Sequence, residues 1–210
     1  MIKVLIADDH PIVREGLKLI IRATPDITVA GEASNAQEVL DQVMLQDFQV
    51  VLLDISMPGR NGLDILKQLK SMKPGLHHLI LSTHPEEQYA LRALKSGASG
   101  YLTKDKVPEE LINAIRKAAL GGKYISAALA EKLAFNLSGE KAESPHQMLS
   151  DREYQVMCMI ASGKTVKQIG EELALSIKTI STYRRRILEK MHMKTNAEIT
   201  HYAVHEGLVN

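Results

Sequence analysis

The pattern that most constrains this chain is a short apolar run followed by a helix-periodic segment, met five times in succession before Gly122. The runs are Ile2 to Ala7, Ile27 to Ala30, Val50 to Leu53, Leu79 to Leu81 and Gly100 to Leu102. Such β-branched and leucine-rich runs, bounded by turn residues, read as buried strands. Strands that alternate with helices form a parallel sheet covered on both faces, because each parallel neighbour needs a crossover. The helices are marked as well. Val13, Leu17 and Ile20 make one apolar stripe, and Leu63, Leu66 and Leu69 with Met72 make another. A third helix spans about Asn35 to Gln46. Pro11 falls just inside a helix start, where its missing N–H would be unpaired anyway. Pro85-Glu86-Glu87 and Pro108-Glu109-Glu110 open two more with acids at the positive end of the dipole. Ser96-Gly97 and Gly121-Gly122 close them. The expected class is an α/β, doubly wound, five-stranded parallel sheet.

Ligands of such sheets bind beyond the carboxyl ends of the strands. There the chain places Asp8 and Asp9 after the first strand, Asp54 after the third, Ser82 after the fourth and Lys104 after the fifth. An aspartate at a strand end is ordinarily a cap or turn former, and only the ordered set points to chemistry. Three carboxylates in one cleft repel each other at neutral pH and need a cation. A small set of hard oxygen ligands suits Mg²⁺, which keeps several waters and bridges carboxylates to phosphate oxygens. A carboxylate can also attack phosphorus, giving an aspartyl phosphate. Asp54 stands alone on its strand and is the candidate nucleophile, with Asp8 and Asp9 on the metal side. Lys104 would pair with one phosphoryl oxygen, and the Ser82 hydroxyl would donate to another. Asp26, Asp41, Asp47 and Asp64 lie off this edge and read as structural. So do His77 and His78, whose side chains point to opposite faces of a strand.

The set Asp8-Asp9, Asp54 with Met57-Pro58 and Gly62 after it, Ser82 and Lys104 resembles the receiver domain of two-component response regulators. The resemblance covers roughly residues 1–120 and implies a flavodoxin-like fold with Asp54 as phosphoacceptor and a sensor histidine kinase as donor. It further implies that the Asp9 and Asp54 side chains and the Ser56 carbonyl hold the metal, with Asp8 beside it. Tyr101 matches the switch aromatic that rotates as Ser82 moves toward the phosphoryl group. Asp105 follows Lys104 where many receivers carry proline, which excludes a cis-proline at that turn.

A chain of 210 residues with 45% hydrophobic content has room for a second domain. Its formal net charge of +1 leaves nucleic-acid binding to a local patch rather than to overall charge. One cysteine, Cys158, excludes an internal disulfide and fits a reducing compartment. No apolar run approaches a membrane span, and MIKVLIADDH reaches two acids too soon for a signal peptide. The expected location is the cytoplasm. Ala127 to Leu137 has helical composition, with Leu129, Leu133 and Leu137 four residues apart, and Ser138 to Gln147 reads as flexible linker. The expected division is a phosphoacceptor domain over 1–122, a linker with a helical stretch over 123–147 and a second domain over 148–210.

From Leu149 the pattern is helical throughout. Ser150-x-x-Glu153, Thr165-x-x-Gln168 and Thr195-x-x-Glu198 fit the capping box, and Ser176 marks a fourth helix start. Gly163 and Gly207 are helix stops. Ala174-Leu175-Ser176 separates the second and third helices as tightly as a helix-turn-helix requires. The third helix has an apolar stripe of Ile177, Ile180, Ile187 and Met191. Around it lie Lys178, Ser181, Thr182, Arg184, Arg185, Arg186 and Lys190, five basic residues against Glu189 alone in 176–190. Basic side chains there can hold phosphates, while Ser181, Thr182 and Arg185 could reach base edges.

This half resembles the LuxR-type helix-turn-helix, and the whole chain is similar to NarL/FixJ-class response regulators. The resemblance implies a homodimer when phosphorylated or bound to double-stranded DNA half-sites. Lys178, Thr179, Ser181, Thr182 and Arg185 occupy positions that commonly meet DNA, with Arg184 and Lys190 added as basic candidates. Ser181 stands where some relatives carry lysine. Two other readings stay open at this level. One is a metal-dependent phosphohydrolase, although Ser56 occupies the position where such enzymes carry an acid/base carboxylate. The other is a receiver that acts through protein contacts without phosphate. Gly163-Lys164-Thr165 imitates the end of a P-loop, but Cys158 replaces the first glycine and a helix precedes it.

Overall fold

The computed structural model describes residues 1–57, 60–127, 129–131 and 144–209. The chain forms two compact units, Met1–Leu129 and Ala130–Asn210. The first alternates β1 (Ile2–Ala7), α1 (Pro11–Arg22), β2 (Ile27–Ala33), α2 (Ala36–Leu45), β3 (Val50–Asp54), α3 (Gly62–Met72), β4 (His77–Ser82), α4 (Glu86–Lys95), β5 (Gly100–Thr103) and α5 (Val107–Ala119). The five strands are parallel in the order β2-β1-β3-β4-β5, which puts Asp54 at the end of the central strand. Every residue of β3 is buried, as a strand covered on both faces must be. Val50 and Leu52 join a core with Leu17 and Ile21 of α1 and Leu111 and Ile115 of α5. By alternation Val51 and Leu53, also fully buried, serve the opposite face, where α2 and α3 pack together.

Several boundaries and stripes differ from expectation. β2 runs on through Gly31-Glu32-Ala33 because it is an edge strand whose pairing with β1 continues to Ala7↔Ala33. A register shift between Val4 and Leu5 hides this from any period-two reading. β4 begins at His77 because His77 and His78 pair with Val50 and Val51. Ile21 rather than Ile20 is the fully buried residue near the end of α1, and Met72 of α3 is 38% exposed while Ile65 takes a core place. After α5 the chain turns back along β5. The Tyr124 N–H donates to the Ser99 carbonyl at 2.7 Å, Tyr124 bridges Gly100 in parallel, and the Ser126 hydroxyl meets Glu86 Oε2 at 2.6 Å. This covers a sheet edge that would otherwise present open hydrogen-bonding groups.

Of the helical stretch expected over 127–137, residues 127 and 129–131 are helical. Leu133, Leu137 and the rest of 132–143 lie outside the described residues, as do Pro58 and Gly59. Pro145 to Gln147, expected as linker, form a 3-10 turn with Met148, held where His146 Nδ1 meets the Tyr202 hydroxyl at 2.7 Å.

The second unit contains α6 (Asp151–Ala161), α7 (Val166–Glu172), α8 (Ile177–Lys190) and α9 (Asn196–His205). The capping boxes at Ser150/Glu153 and Thr165/Gln168 are both complete. At α9 Thr195 accepts the Glu198 N–H, but the Glu198 carboxylate turns one residue further back, to the Lys194 N–H at 3.0 Å, so this box is only half formed. Ile180 and Ile187 are fully buried and Met191 nearly so, whereas Ile177, the first residue of the helix, is 57% exposed. The α7–α8 turn closes through the Leu175 N–H and the Gly170 carbonyl at 2.8 Å, with Ala174 at φ 53. A Cβ on Gly170 would lie 2.8 Å from the Leu175 carbonyl oxygen, so this turn requires glycine. Cys158 is buried in α6, and Gly163 ends that helix at φ 83, as a helix stop rather than part of a P-loop.

Candidate functional site

The ends of β1, β3, β4 and β5 bring Asp8, Asp54, Ser82 and Lys104 to one edge of the sheet. Asp8 is fully buried and Asp54 is 1% exposed. Lys104 Nζ lies 2.7 Å from Asp8 Oδ2 and 3.1 Å from Asp54 Oδ2, so one ammonium bridges the two carboxylates. Its backbone is fixed by a 2.8 Å hydrogen bond from the Lys104 N–H to the Ser82 carbonyl. Asp54 Oδ1 accepts the Ser56 N–H at 3.2 Å, and Asp8 Oδ1 accepts the His10 N–H at 2.9 Å. Arg14 reaches the Asp8 carbonyl from α1 at 2.7 Å.

Charge at this edge does not balance. Burial pushes the Asp54 carboxyl above the ordinary aspartate range and the Asp8 charge pushes the same way, against the opposing pull of Lys104. Burial works against the Lys104 charge, but Asp54 and Asp8 together outweigh it and hold that amine above its usual value. One lysine facing three carboxylates leaves negative charge uncompensated. Ligand atoms of Asp8, Asp9, His10 and Asp54 all lie within 4.8 Å of one another, so the donor set fits a divalent cation.

The Ser82 hydroxyl, fully buried, accepts the His84 N–H at 3.0 Å. Tyr101 is turned inward, 3% exposed, and its hydroxyl donates to the His84 carbonyl at 2.8 Å. The two groups thus hold opposite sides of one residue. Gly62, the first residue of α3, donates its N–H to the Ile55 carbonyl at 3.0 Å. A Cβ there would stand 2.8 Å from Ile55 Cα and closer still to the Asp54 carbonyl. Close approach, not backbone angle, demands glycine behind the Asp54 turn.

On α8, Lys178, Ser181, Arg185 and Arg186 are exposed, while Thr179 and Thr182 are half-buried. The Thr179 hydroxyl meets Ser176 Oγ at 2.8 Å within the helix cap, and the Thr182 hydroxyl donates to the Lys178 carbonyl. Arg185 reaches Glu189 at 3.4 Å on the surface. Two of the basic candidates are engaged inside the unit. Lys190 Nζ lies 2.6 Å from Glu153 Oε2, a nearly buried carboxylate of α6, and Arg184 Nε donates to Asn196 Oδ1 at 2.6 Å.

Residues 4–116 match the family described as the response regulator receiver domain, and residues 147–203 match the bacterial regulatory proteins of the luxR family. The chain belongs to the response-regulator family. It is 37% identical over 211 residues to the response regulator UvrY of Escherichia coli strain K12, covering 100% of this chain and 97% of that protein. It is 36% identical over 210 residues to the response regulator GacA of Pseudomonas protegens, covering 100% and 99%. Among solved structures it is similar to RcsB from Salmonella enterica serovar Typhimurium bound to promoter rprA in the presence of phosphomimetic BeF3-, at TM-score 0.66 and 25% identity, over 96% of this chain and 97% of that one. It is also similar to response regulator ChrA of a heme-sensing two-component system, at TM-score 0.53 and 29% identity, over 99% and 98%.

In this response regulator the receiver candidates Asp8, Asp9, Asp54, Ser56, Ser82, Tyr101 and Lys104 gather at one end of the sheet. The residue that sequence reasoning missed is His84. It sits in the β4–α4 loop and carries no periodic or motif signal, and its role comes from two backbone groups that any residue has. Among the described residues no helix is long and apolar enough to cross a membrane.

Proposed function

We propose that Asp54 accepts a phosphoryl group from a sensor histidine kinase, and that this switches DNA binding by the second unit to regulate transcription. The observation that carries the reading is the buried Asp54 carboxylate at the end of the central strand, bridged to Asp8 through Lys104. A carboxylate oxygen of Asp54 attacks phosphorus, the bond from phosphorus to the donor histidine nitrogen breaks, and the imidazole keeps the electron pair and takes a proton. Mg²⁺ bound by Asp9, Asp54 and the Ser56 carbonyl, with Asp8 beside it, would supply positive charge to the phosphoryl oxygens. Lys104, already within 3.1 Å of Asp54, exchanges a carboxylate oxygen for a phosphoryl oxygen. Ser82 accepts from the His84 N–H and still has its own proton to donate. Turning that hydroxyl toward the phosphoryl group releases one side of His84 while Tyr101 holds the other. Serine loop and aromatic switch together through this residue.

The proposed division is a receiver over 1–122, a linker over 123–147 and a DNA-binding domain over 148–210. Lys178, Thr179, Ser181, Thr182 and Arg185 are the proposed contacts to double-stranded DNA, with a homodimer as the bound form. Arg184 and Lys190 act chiefly by fixing α8 on its neighbours. Ser56 offers no acid/base carboxylate two residues after the nucleophile, which supports a phosphoacceptor rather than a turnover enzyme. The protein works in the cytoplasm on this reading.

Incubation with a small acyl phosphate and Mg²⁺ should place one acid-stable, base-labile phosphoryl group on Asp54, located by peptide mass. Labelling that survives Asp54→Asn would defeat the assignment. Steady hydrolysis of phosphate esters over many turnovers would favour the hydrolase instead.

A further inference from the structure

His10 follows the acidic pair directly, and local structure gives no reason for a histidine there. It is the residue before α1, yet its side chain makes no capping hydrogen bond, and histidine is a poor N-cap. The backbone stands at φ −90 and ψ 109, in the extended region that the following Pro11 imposes. In this conformation the side chain lies against the carboxylates, although 64% of it is exposed. Nδ1 lies 3.0 Å from Asp9 Oδ1 and 3.3 Å from Asp8 Oδ1. Asp9 Oδ1 is itself closed off from solvent and accepts no hydrogen bond among the described residues.

The shorter of these spacings is that of adjacent ligands around one ion. Ligands about 2.1 Å from an octahedral cation stand about 3.0 Å apart when adjacent and about 4.2 Å apart when opposite. The 3.0 Å approach of Nδ1 to Asp9 matches an adjacent pair, and the Asp8, Asp9, His10 and Asp54 atoms, within 4.8 Å overall, need to draw together by only about 0.6 Å to reach the opposite-pair limit. Lys104 approaches Oδ2 of Asp8 and of Asp54, whereas His10 approaches the other oxygen of Asp8, Oδ1.

We propose that His10 Nδ1 is a ligand of the divalent ion at this site and shifts its preference from Mg²⁺ toward Mn²⁺ and the later transition metals. This rests on the phosphoacceptor reading of the carboxylates but goes beyond it. Carboxylate and carbonyl oxygens alone suit Mg²⁺, whereas an imidazole nitrogen adds affinity that rises along the first-row series. The competing role for His10 is electrostatic: a protonated ring that offsets the carboxylates. That role predicts the opposite sign, because removing a cation would strengthen metal binding.

The test uses the full chain, stripped of metal by chelation, with the wild type, His10→Ala and His10→Gln titrated separately with Mn²⁺ and Mg²⁺. Mn²⁺ binding is read from loss of the free-ion electron paramagnetic resonance signal, and Mg²⁺ binding from displacement of Mn²⁺ and from calorimetry. Bound Mn²⁺ in the wild type should show electron spin-echo modulation from a coordinated imidazole ¹⁴N, absent in both variants. Mn²⁺ affinity should fall about tenfold in His10→Ala, with Mg²⁺ affinity changing much less. His10→Gln, which offers a hard oxygen, should keep Mg²⁺ binding and still lose Mn²⁺ preference. Absence of the nitrogen signature, an equal loss for both ions, or tighter binding in His10→Ala each overturns the proposal while leaving the carboxylate site standing. A chain that binds neither ion overturns both.

Discussion

Replacing His78 by leucine should flatten the acid side of the receiver's stability curve. His78 lies in β4 at 1% exposure, paired with Val51 of β3, and its Nε2 has no hydrogen-bond partner among the described residues. Burial, with smaller repulsion from His77, Lys70 and Lys123, lowers its pKa from 6.5 to about 4. The folded state therefore holds the ring neutral over a range in which the unfolded chain takes up a proton. Stability from this source is complete above pH 6.5 and is lost as pH falls toward 4, because protons then bind the unfolded state preferentially. A tenfold difference in proton affinity between the two states is worth roughly 1.4 kcal/mol, so lowering pH from 7.5 to 5.5 should cost about 1.4 kcal/mol and lowering it to 4.5 about 2.5 kcal/mol. Carboxylates titrate in the same interval, but their contribution cancels in the difference between wild type and His78→Leu. The assay is urea unfolding followed by far-UV circular dichroism at the three pH values, since the chain has no tryptophan. The His78 Cε1 proton shift gives the folded pKa directly. At pH 7.5 the leucine chain should be at least as stable as wild type, because no unpaired nitrogen remains buried. Parallel curves for the two chains, or a ring that titrates near 6.5 in the folded protein, would refute the reasoning.

Gly62→Ala should destabilise the receiver by about 1–3 kcal/mol in denaturant unfolding, since the new Cβ meets Ile55 Cα and the Asp54 carbonyl. It should also slow phosphoryl uptake by displacing the Asp54 turn; an unchanged rate and midpoint would disprove the close-approach argument. Arg185→Ala should weaken DNA binding at matched salt and reduce the slope of log affinity against log salt by about one. Lys190→Met should instead leave that slope unchanged and lower the melting temperature of the second unit, because it uncouples α8 from the buried Glu153. Ser150→Ala removes one side of a complete capping box and should cost that unit about 1 kcal/mol by calorimetry, with DNA affinity of the folded chain unaltered.

Much of the site was legible because its chemistry depends on residue type at strand ends. Asp8, Asp54, Ser82 and Lys104 each follow an apolar run, and parallel topology delivers all such ends to one edge. What sequence reasoning did not reach were contacts with neighbours distant in the chain. Lys190 and Arg184 look like Lys178 and Arg185 along the helix, yet Glu153 and Asn196 occupy them. Ile177 and Met72 fit their stripes by period, but both stand exposed at those ends of the helices. His78 read as an ordinary histidine on a strand approach because burial on a β4 that starts at His77 has no local signature.

Periodicity, caps and turn residues are properties of a few consecutive positions, so the α/β alternation, the helix-turn-helix and the gathering of carboxylates at strand ends were readable from the chain alone. Burial, pairing and charge balance depend on what lies across a sheet or between helices. Only the tertiary structure could therefore decide that one lysine bridges Asp8 and Asp54, that Ser82 and Tyr101 meet at His84, and that His10 turns toward the acids it follows.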